Sequence, residues 1–169
     1  MIVPPWALTV SYWLHMLATV AWLGGLAAVS LILIPALDKL ADPQARLDIL
    51  HRAQKRLDPL GWFSLLLLTG TGLVQMSASP AYDGFLSITN RWALAILLKH
   101  IVFLGMMGVS VFITWKAMPD LERAILRQSL GKAAQDIPQL MRRNVALIRL
   151  NLFLGAIVLI FTALARVSI

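Results

Sequence analysis

Four long apolar segments constrain the fold of this chain more than any other feature of the sequence. The predicted spans cover about residues 7–36, 59–79, 92–115 and 145–165. A helix needs about 20 apolar residues to cross the hydrocarbon core of a bilayer. Only 14% of the 169 residues are charged, whereas a soluble domain carries about 25%. The sequence therefore predicts an all-α fold, a single four-helix transmembrane bundle over residues 1–169.

The basic residues between these segments predict the orientation. Segments 37–58 and 116–144 contain five and six of the 15 Lys and Arg residues, whereas the opposite side has only Arg91 and Arg166. Because cytoplasmic loops are enriched in Lys and Arg, we expect both segments in the cytoplasm and both termini extracytoplasmic, in a bacterial-type inner membrane. The same asymmetry explains the net charge of +7. The lipid bilayer, and no nucleic acid, is the expected partner.

Two histidines within the spans are candidates for function, because ionisable groups are costly to bury in lipid. His15 lies nine residues after Trp6, and His100 lies eight residues after Trp92. At about 1.5 Å per residue both are ~12–14 Å from the outer face. Two imidazoles at matching depth could hold one metal centre or serve as axial ligands of a haem. Alternatively, each ring hydrogen-bonds to a neighbouring carbonyl or hydroxyl.

Other residues near His15 extend this candidate site. His15 shares one helix face with three residues at spacings of three or four, namely Ala18, Trp22 and Gly25. Small residues on that face would allow a flat group, or another helix, to approach closely. Met16 and Met76 lie in the outer half of the predicted bundle. Their thioethers suit Cu(I), although methionine also commonly fills apolar cores.

Lys99 and Arg149 are the cationic side chains within the spans. Lys99 is about 100° around the helix from His100, so the two cannot point at one spot. The spans contain no acidic residue, so Lys99 would pair with an anionic group such as a haem propionate, bond to a backbone carbonyl, snorkel or be neutral. Arg149 can snorkel to the cytoplasmic interface. No cysteine, nucleophile–base pair, phosphate loop or paired carboxylates occurs, so hydrolytic and phosphoryl-transfer chemistry is not expected.

Segment 13–25, WLHMLATVAWLGG, resembles the first helix of the CopD (copper resistance protein D) domain family. Members of that family are described as inner-membrane proteins of copper uptake or efflux. Further matching pieces follow in the same order along the chain: Arg56, Thr69-Gly70, Leu97-Leu98-Lys99, Arg149-Leu150 and Thr162-Ala163. The layout is also similar, more distantly, to the haem-binding HemJ protoporphyrinogen oxidases, where His15 and Lys99 fall on a helix-one histidine and a helix-three lysine.

Three functional hypotheses follow. The first is a membrane protein that transports copper or relays it from a periplasmic donor. The second is a haem b protein that transfers electrons to a redox partner or oxidises protoporphyrinogen. The third is a non-catalytic subunit of a larger membrane complex, because the chain has no sizeable soluble domain. Copper and haem b are both cofactor candidates. The expected metal ligands are His15, His100, Met16 and Met76, and the expected cofactor-binding residues are His15, His100, Lys99, Trp22 and Gly25.

Overall fold

The computed structural model describes residues 3–132 and 136–168, which form four long helices. These are α1 (Pro5–Leu37), α2 (Pro43–Ser77), α3 (Arg91–Ser129) and α4 (Ile137–Arg166). Each is long and apolar enough to cross a membrane, and no strand occurs in the described ranges. The prediction of an all-α bundle with four membrane-spanning helices is confirmed. Residues 133–135 of the second basic segment lie outside the described residues.

Helices α2 and α4 begin well before the apolar spans, because each has an aspartate that caps its first turn. The Asp42 carboxylate accepts a hydrogen bond from the Gln44 backbone N–H at 2.9 Å, and Asp136 caps α4 in the same way. Such caps satisfy backbone donors that have no partner in the first turn. Most of the first basic segment is therefore the beginning of α2, which continues through Pro59 into the apolar span.

Helices α1 and α3 each contain a π-helical stretch, Ala28–Leu33 and Ile113–Ala117 respectively. A π-helical hydrogen bond joins residues five apart, one more than in an α-helix, and π-bulges are frequent at functional sites. Both stretches lie toward the same end of the bundle. We call it the basic end, because it carries the two basic segments. The opposite end carries the beginning of α1, the end of α4 and residues 78–90, and we call it the terminal end.

The four helices pack mainly in two pairs. Helix α1 lies along α2, α3 lies along α4, and α1 also contacts α4. Glycines on α2 allow α1 to approach closely. A Cβ atom added to Gly61 would lie 3.8 Å from Trp22 Cδ1, and one added to Gly72 would lie 3.5 Å from His15 Cε1. The central core contains buried Trp22, which contacts Phe103 of α3 edge-on at 6.0 Å between ring centroids.

Gly155 lies where α4 meets α1, and a Cβ atom there would overlap Leu23 Cδ2 and crowd Met106 Cε. We expect Gly155→Leu to lower the free energy of unfolding by about 1–3 kcal/mol, because overpacking displaces neighbouring side chains and backbone. Gly108→Leu is the matched control, since an added Cβ at Gly108 meets nothing within 4 Å. Thermal unfolding in detergent measures the effect. Equal unfolding midpoints for the two variants would contradict the packing described.

Ion pairs and hydrogen bonds hold the helices together at the basic end. The Asp120 carboxylate lies 3.2–3.7 Å from three cationic side chains, those of Lys116, Arg123 and Arg143. His51 Nδ1 of α2 lies 3.0 Å from Glu122 Oε1 of α3. The buried Asn144 amide of α4 donates to the Ala117 carbonyl at 3.1 Å. His51 therefore contributes to contacts between helices at this end, remote from His15.

Large apolar side chains cover the outward faces of the helices. Exposed examples occur on all four helices and include Val20, Leu31, Leu66, Leu104 and Phe153. Soluble monomers rarely expose extended apolar surface of this kind, whereas lipid chains solvate it. The distribution of side chains thus agrees with the length and composition of the helices: the protein presents an apolar belt between its two ends.

Candidate functional site

A polar cluster joins α1 to α2 in the terminal half of the bundle. The Ser11 hydroxyl donates to the Thr71 carbonyl at 3.2 Å, and the Gln75 amide donates to the Ser11 carbonyl at 3.2 Å. One turn further along α1, His15 Nδ1 lies 2.7 Å from Thr71 Oγ1. Ser11 and Thr71 are buried, and His15 is partly buried. His15 is therefore held by a specific partner and not merely packed among apolar side chains.

Hydrogen bonding defines the tautomer of His15. The Thr71 hydroxyl donates its single proton to the Leu67 carbonyl, so its oxygen can only accept from the imidazole. A hydroxyl has one donor and two acceptor positions, which places the imidazole proton on Nδ1. The Nε2 atom of neutral His15 then keeps its lone pair. Metal-binding histidines are commonly oriented in this way, with one ring nitrogen donating to a fixed acceptor and the other facing the metal.

Lys99 of α3 is a second residue that the sequence predicts at the site. It lies close enough for its charge to act on the imidazole of His15. No ion pair of the described residues includes Lys99. Lys99 is therefore a cationic side chain of α3 without a carboxylate partner in the described ranges.

His100 has different neighbours. Its Nδ1 lies 2.7 Å from the Ile96 carbonyl oxygen, which can only accept, so Nδ1 carries a proton. Its ring meets Phe85 edge-on, with 5.5 Å between centroids. Both contacts are with α3 itself or with residues 78–90. Among the described residues, no hydrogen bond or ring contact joins His100 to His15.

The other expected site residues are dispersed. Met16 is 60% exposed and projects from the bundle, whereas Met76 is buried in a separate cluster with Trp92 near the terminal end.

Trp22 is buried in the central core, and Gly25 faces Leu57 of α2, whose Cδ2 would lie 3.9 Å from an added Cβ. Trp22 and Gly25 thus serve the packing of α1 on α2, and both also line a cavity in the basic half of the bundle. Within the described ranges, no group of three or more His, Cys, Asp or Glu side chains is placed to hold a metal ion.

Sequence reasoning missed the residues that position His15. Ser11 and His15 are four residues apart on α1, and Thr71 and Gln75 are four residues apart on α2. That spacing places each pair on one face of its helix, so two polar pairs within apolar segments could have indicated a polar contact between the two helices. The sequence does not say which helix faces which, and the partners emerge only from the packing.

Comparison with known proteins gives a family for most of the chain. The model of the CopD family, described as copper resistance protein D, matches residues 51–165. This range includes most of α2, all of α3 and nearly all of α4, and it begins after α1 and its segment 13–25. No curated protein and no solved structure matches the chain, and no comparison confirms the similarity to HemJ. With four helices able to cross a membrane, the protein is a multi-pass membrane protein that belongs to the copper resistance protein D family.

Proposed function

We propose that this protein carries copper across a bacterial inner membrane, accepting it from a periplasmic donor or delivering it there, with His15 as the ligand inside the bilayer. Family membership supports copper as the transported substrate. The observation that supports the ligand is the hydrogen bond between His15 Nδ1 and Thr71, which leaves Nε2 free to bind a metal. In this proposal residues 1–169 form one domain, whose basic segments 37–58 and 116–144 face the cytoplasm.

The chemistry of the site suits transient binding. Imidazole nitrogen is a good ligand for copper, and a transported ion must bind well enough to enter and weakly enough to leave. A single oriented imidazole meets both requirements if the donor supplies the remaining ligands during transfer. Lys99, when charged, repels a cation bound at His15 and so favours its release. The terminal half, where His15 lies, is the side that would receive copper from an extracytoplasmic donor.

Two measurements on the purified protein test this proposal. We expect a protein without visible absorption that binds Cu(I), and proteoliposomes that accumulate copper faster than empty liposomes. A Soret band with split α and β features would overturn the copper proposal in favour of a haem b protein. A stoichiometric partner that co-purifies, together with no copper binding, would overturn it in favour of a subunit of a larger membrane complex.

A further inference from the structure

A second polar site lies in the basic half of the bundle, away from His15. A partly open cavity of ≈ 90 Å³ lies there between α1, α2, α3 and α4. Its apolar wall includes Trp22 and Leu65. Its polar lining consists of five side chains from three helices, namely Gln54, Asp58, Ser110, Thr114 and Asn151. Every one of these five side chains carries an oxygen atom, and a cavity of this size holds several waters or one small ion with part of its shell.

Two of the lining oxygens have no protein partner. Gln54 is 7% exposed and Asn151 is 1% exposed. The Asn151 amide nitrogen donates to Ser110 Oγ at 2.8 Å, which leaves the amide oxygen as the group without a partner. Neither Gln54 Oε1 nor Asn151 Oδ1 accepts a hydrogen bond from any described residue. Buried polar atoms are nearly always satisfied, so these two acceptors indicate a ligand that offers positive charge or hydrogen-bond donors.

The charge of the cavity restricts the ligand further. Asp58 is the one acidic or basic side chain in the lining. No ion pair of the described residues uses Asp58. One monovalent cation would neutralise the carboxylate, whereas a divalent cation would leave a net positive charge in a poorly solvated site. Carboxylate, amide and hydroxyl oxygens are hard ligands, in contrast to the soft ligands that select Cu(I).

Irregular backbone forms part of the cavity wall. Val29 belongs to the π-helical stretch of α1, and Thr114 belongs to that of α3. Pro59 follows Asp58 within α2, and its nitrogen cannot donate to the carbonyl of Lys55. Three of the four helices thus depart from regular α-helical hydrogen bonding around the same cavity. Such irregularities within membrane helices are tolerated where they face protein or a polar cavity.

We propose that this cavity binds one monovalent alkali cation, with the Asp58 carboxylate balancing its charge and the oxygens of Gln54, Ser110, Thr114 and Asn151 as further ligands. The proposal is independent of copper binding at His15, because the two sites use different residues and different ligand chemistry. Bound at the junction of α2, α3 and α4, the cation joins helices that belong to different pairs, so its binding stabilises the bundle.

Thermal unfolding of the purified full chain tests the site at constant ionic strength. We expect NaCl or KCl to raise the unfolding midpoint above that in choline chloride, by about 3 °C when the cation exceeds its Kd tenfold. Asp58→Asn and Gln54→Met should each remove this rise. The first keeps the shape of the side chain and removes its charge, and the second replaces an amide by a thioether of similar length. Asp48→Asn on the exposed face of α2 is the matched control and should retain the rise.

Several results would overturn the cation site. Equal unfolding midpoints in NaCl, KCl and choline chloride would show that water alone occupies the cavity and hydrogen-bonds to its unpartnered oxygens. A larger rise with MgCl₂ than with NaCl would contradict the monovalent charge balance. Loss of the rise in Asp48→Asn would indicate general screening of surface charge. The rise should persist in His15→Ala, so the cation site and the copper proposal can fail separately.

Discussion

Replacing His15 with alanine is expected to abolish Cu(I) binding by the purified protein while leaving insertion into the membrane intact. The change removes the imidazole whose Nε2 is left free by the hydrogen bond to Thr71. Loss of a ligand should weaken binding by more than the roughly 10–100-fold that removal of an outer-shell partner costs. Insertion is expected to be unaffected, because alanine makes the span more apolar. Competition with a Cu(I) chelator measures the affinity, and copper uptake by proteoliposomes measures transport.

Two further variants separate ligation from packing. His15→Gln retains a side chain that can donate to Thr71 Oγ1 but has no imidazole, so it should lose copper as His15→Ala does. Thr71→Val keeps the shape of the partner and removes the acceptor that orients the ring, so it should weaken binding by about tenfold. His51→Ala is the control, since His51 pairs with Glu122 at the basic end, and it should leave copper affinity unchanged.

Full copper occupancy in the His15→Ala protein would refute the site. His15 would then be a hydrogen-bonded residue that helps α1 to pack on α2. Variants of His100 and Lys99 test which residue of α3, if either, belongs to the same site as His15. A loss in His100→Ala as large as that in His15→Ala would place the two histidines in one centre, against the separate contacts that the structure gives them. A loss confined to His15→Ala and Lys99→Ala would identify Lys99 as the helix-three residue that helps to hold copper, contrary to the proposed repulsion between its charge and the bound ion.

The predicted orientation of the chain in the membrane can be tested with reporter fusions. We expect alkaline phosphatase to be active when fused after residue 84 and inactive when fused after residue 41 or residue 131, because this enzyme folds only outside the cytoplasm. The physical reason is the excess of Lys and Arg in segments 37–58 and 116–144, which resists translocation. A fluorescent protein that folds only in the cytoplasm should give the opposite pattern at the same three positions.

Phosphatase activity after residue 41 or residue 131 would contradict the orientation. It would also place His15 and its free Nε2 on the cytoplasmic side of the bundle, so that the periplasmic donor in the proposed function would lose its access to the site. The cation site would be unaffected by this result, because its argument rests on lining oxygens and charge and not on which compartment it faces.

The four spans could be predicted from the sequence because lipid imposes a simple condition on length and hydropathy. Helix ends and helix irregularities were harder to predict. Segment 43–58 is polar, yet it continues α2, since Asp42 caps the first turn and Pro59 is accommodated within the helix. The π-helical stretches Ala28–Leu33 and Ile113–Ala117 each end two residues before a proline, Pro35 and Pro119, which cannot donate the i→i−4 hydrogen bond. The prolines indicate an irregular helix, but the sequence alone does not distinguish a π turn from a kink or a helix end.

Some residues of the candidate sites could likewise be predicted from the sequence, and others could not. His15 and Lys99 could be selected from the sequence alone, because ionisable groups in apolar spans are costly and therefore conspicuous. The acceptor Thr71, the unpartnered oxygens of Gln54 and Asn151, and the different neighbours of His100 could not. Hydropathy describes how each residue interacts with lipid or water. It carries no information about which residue of another helix lies opposite. Which polar groups meet depends on the rotation and pairing of helices, and only the tertiary packing of α1 on α2 and of α3 on α4 decides that.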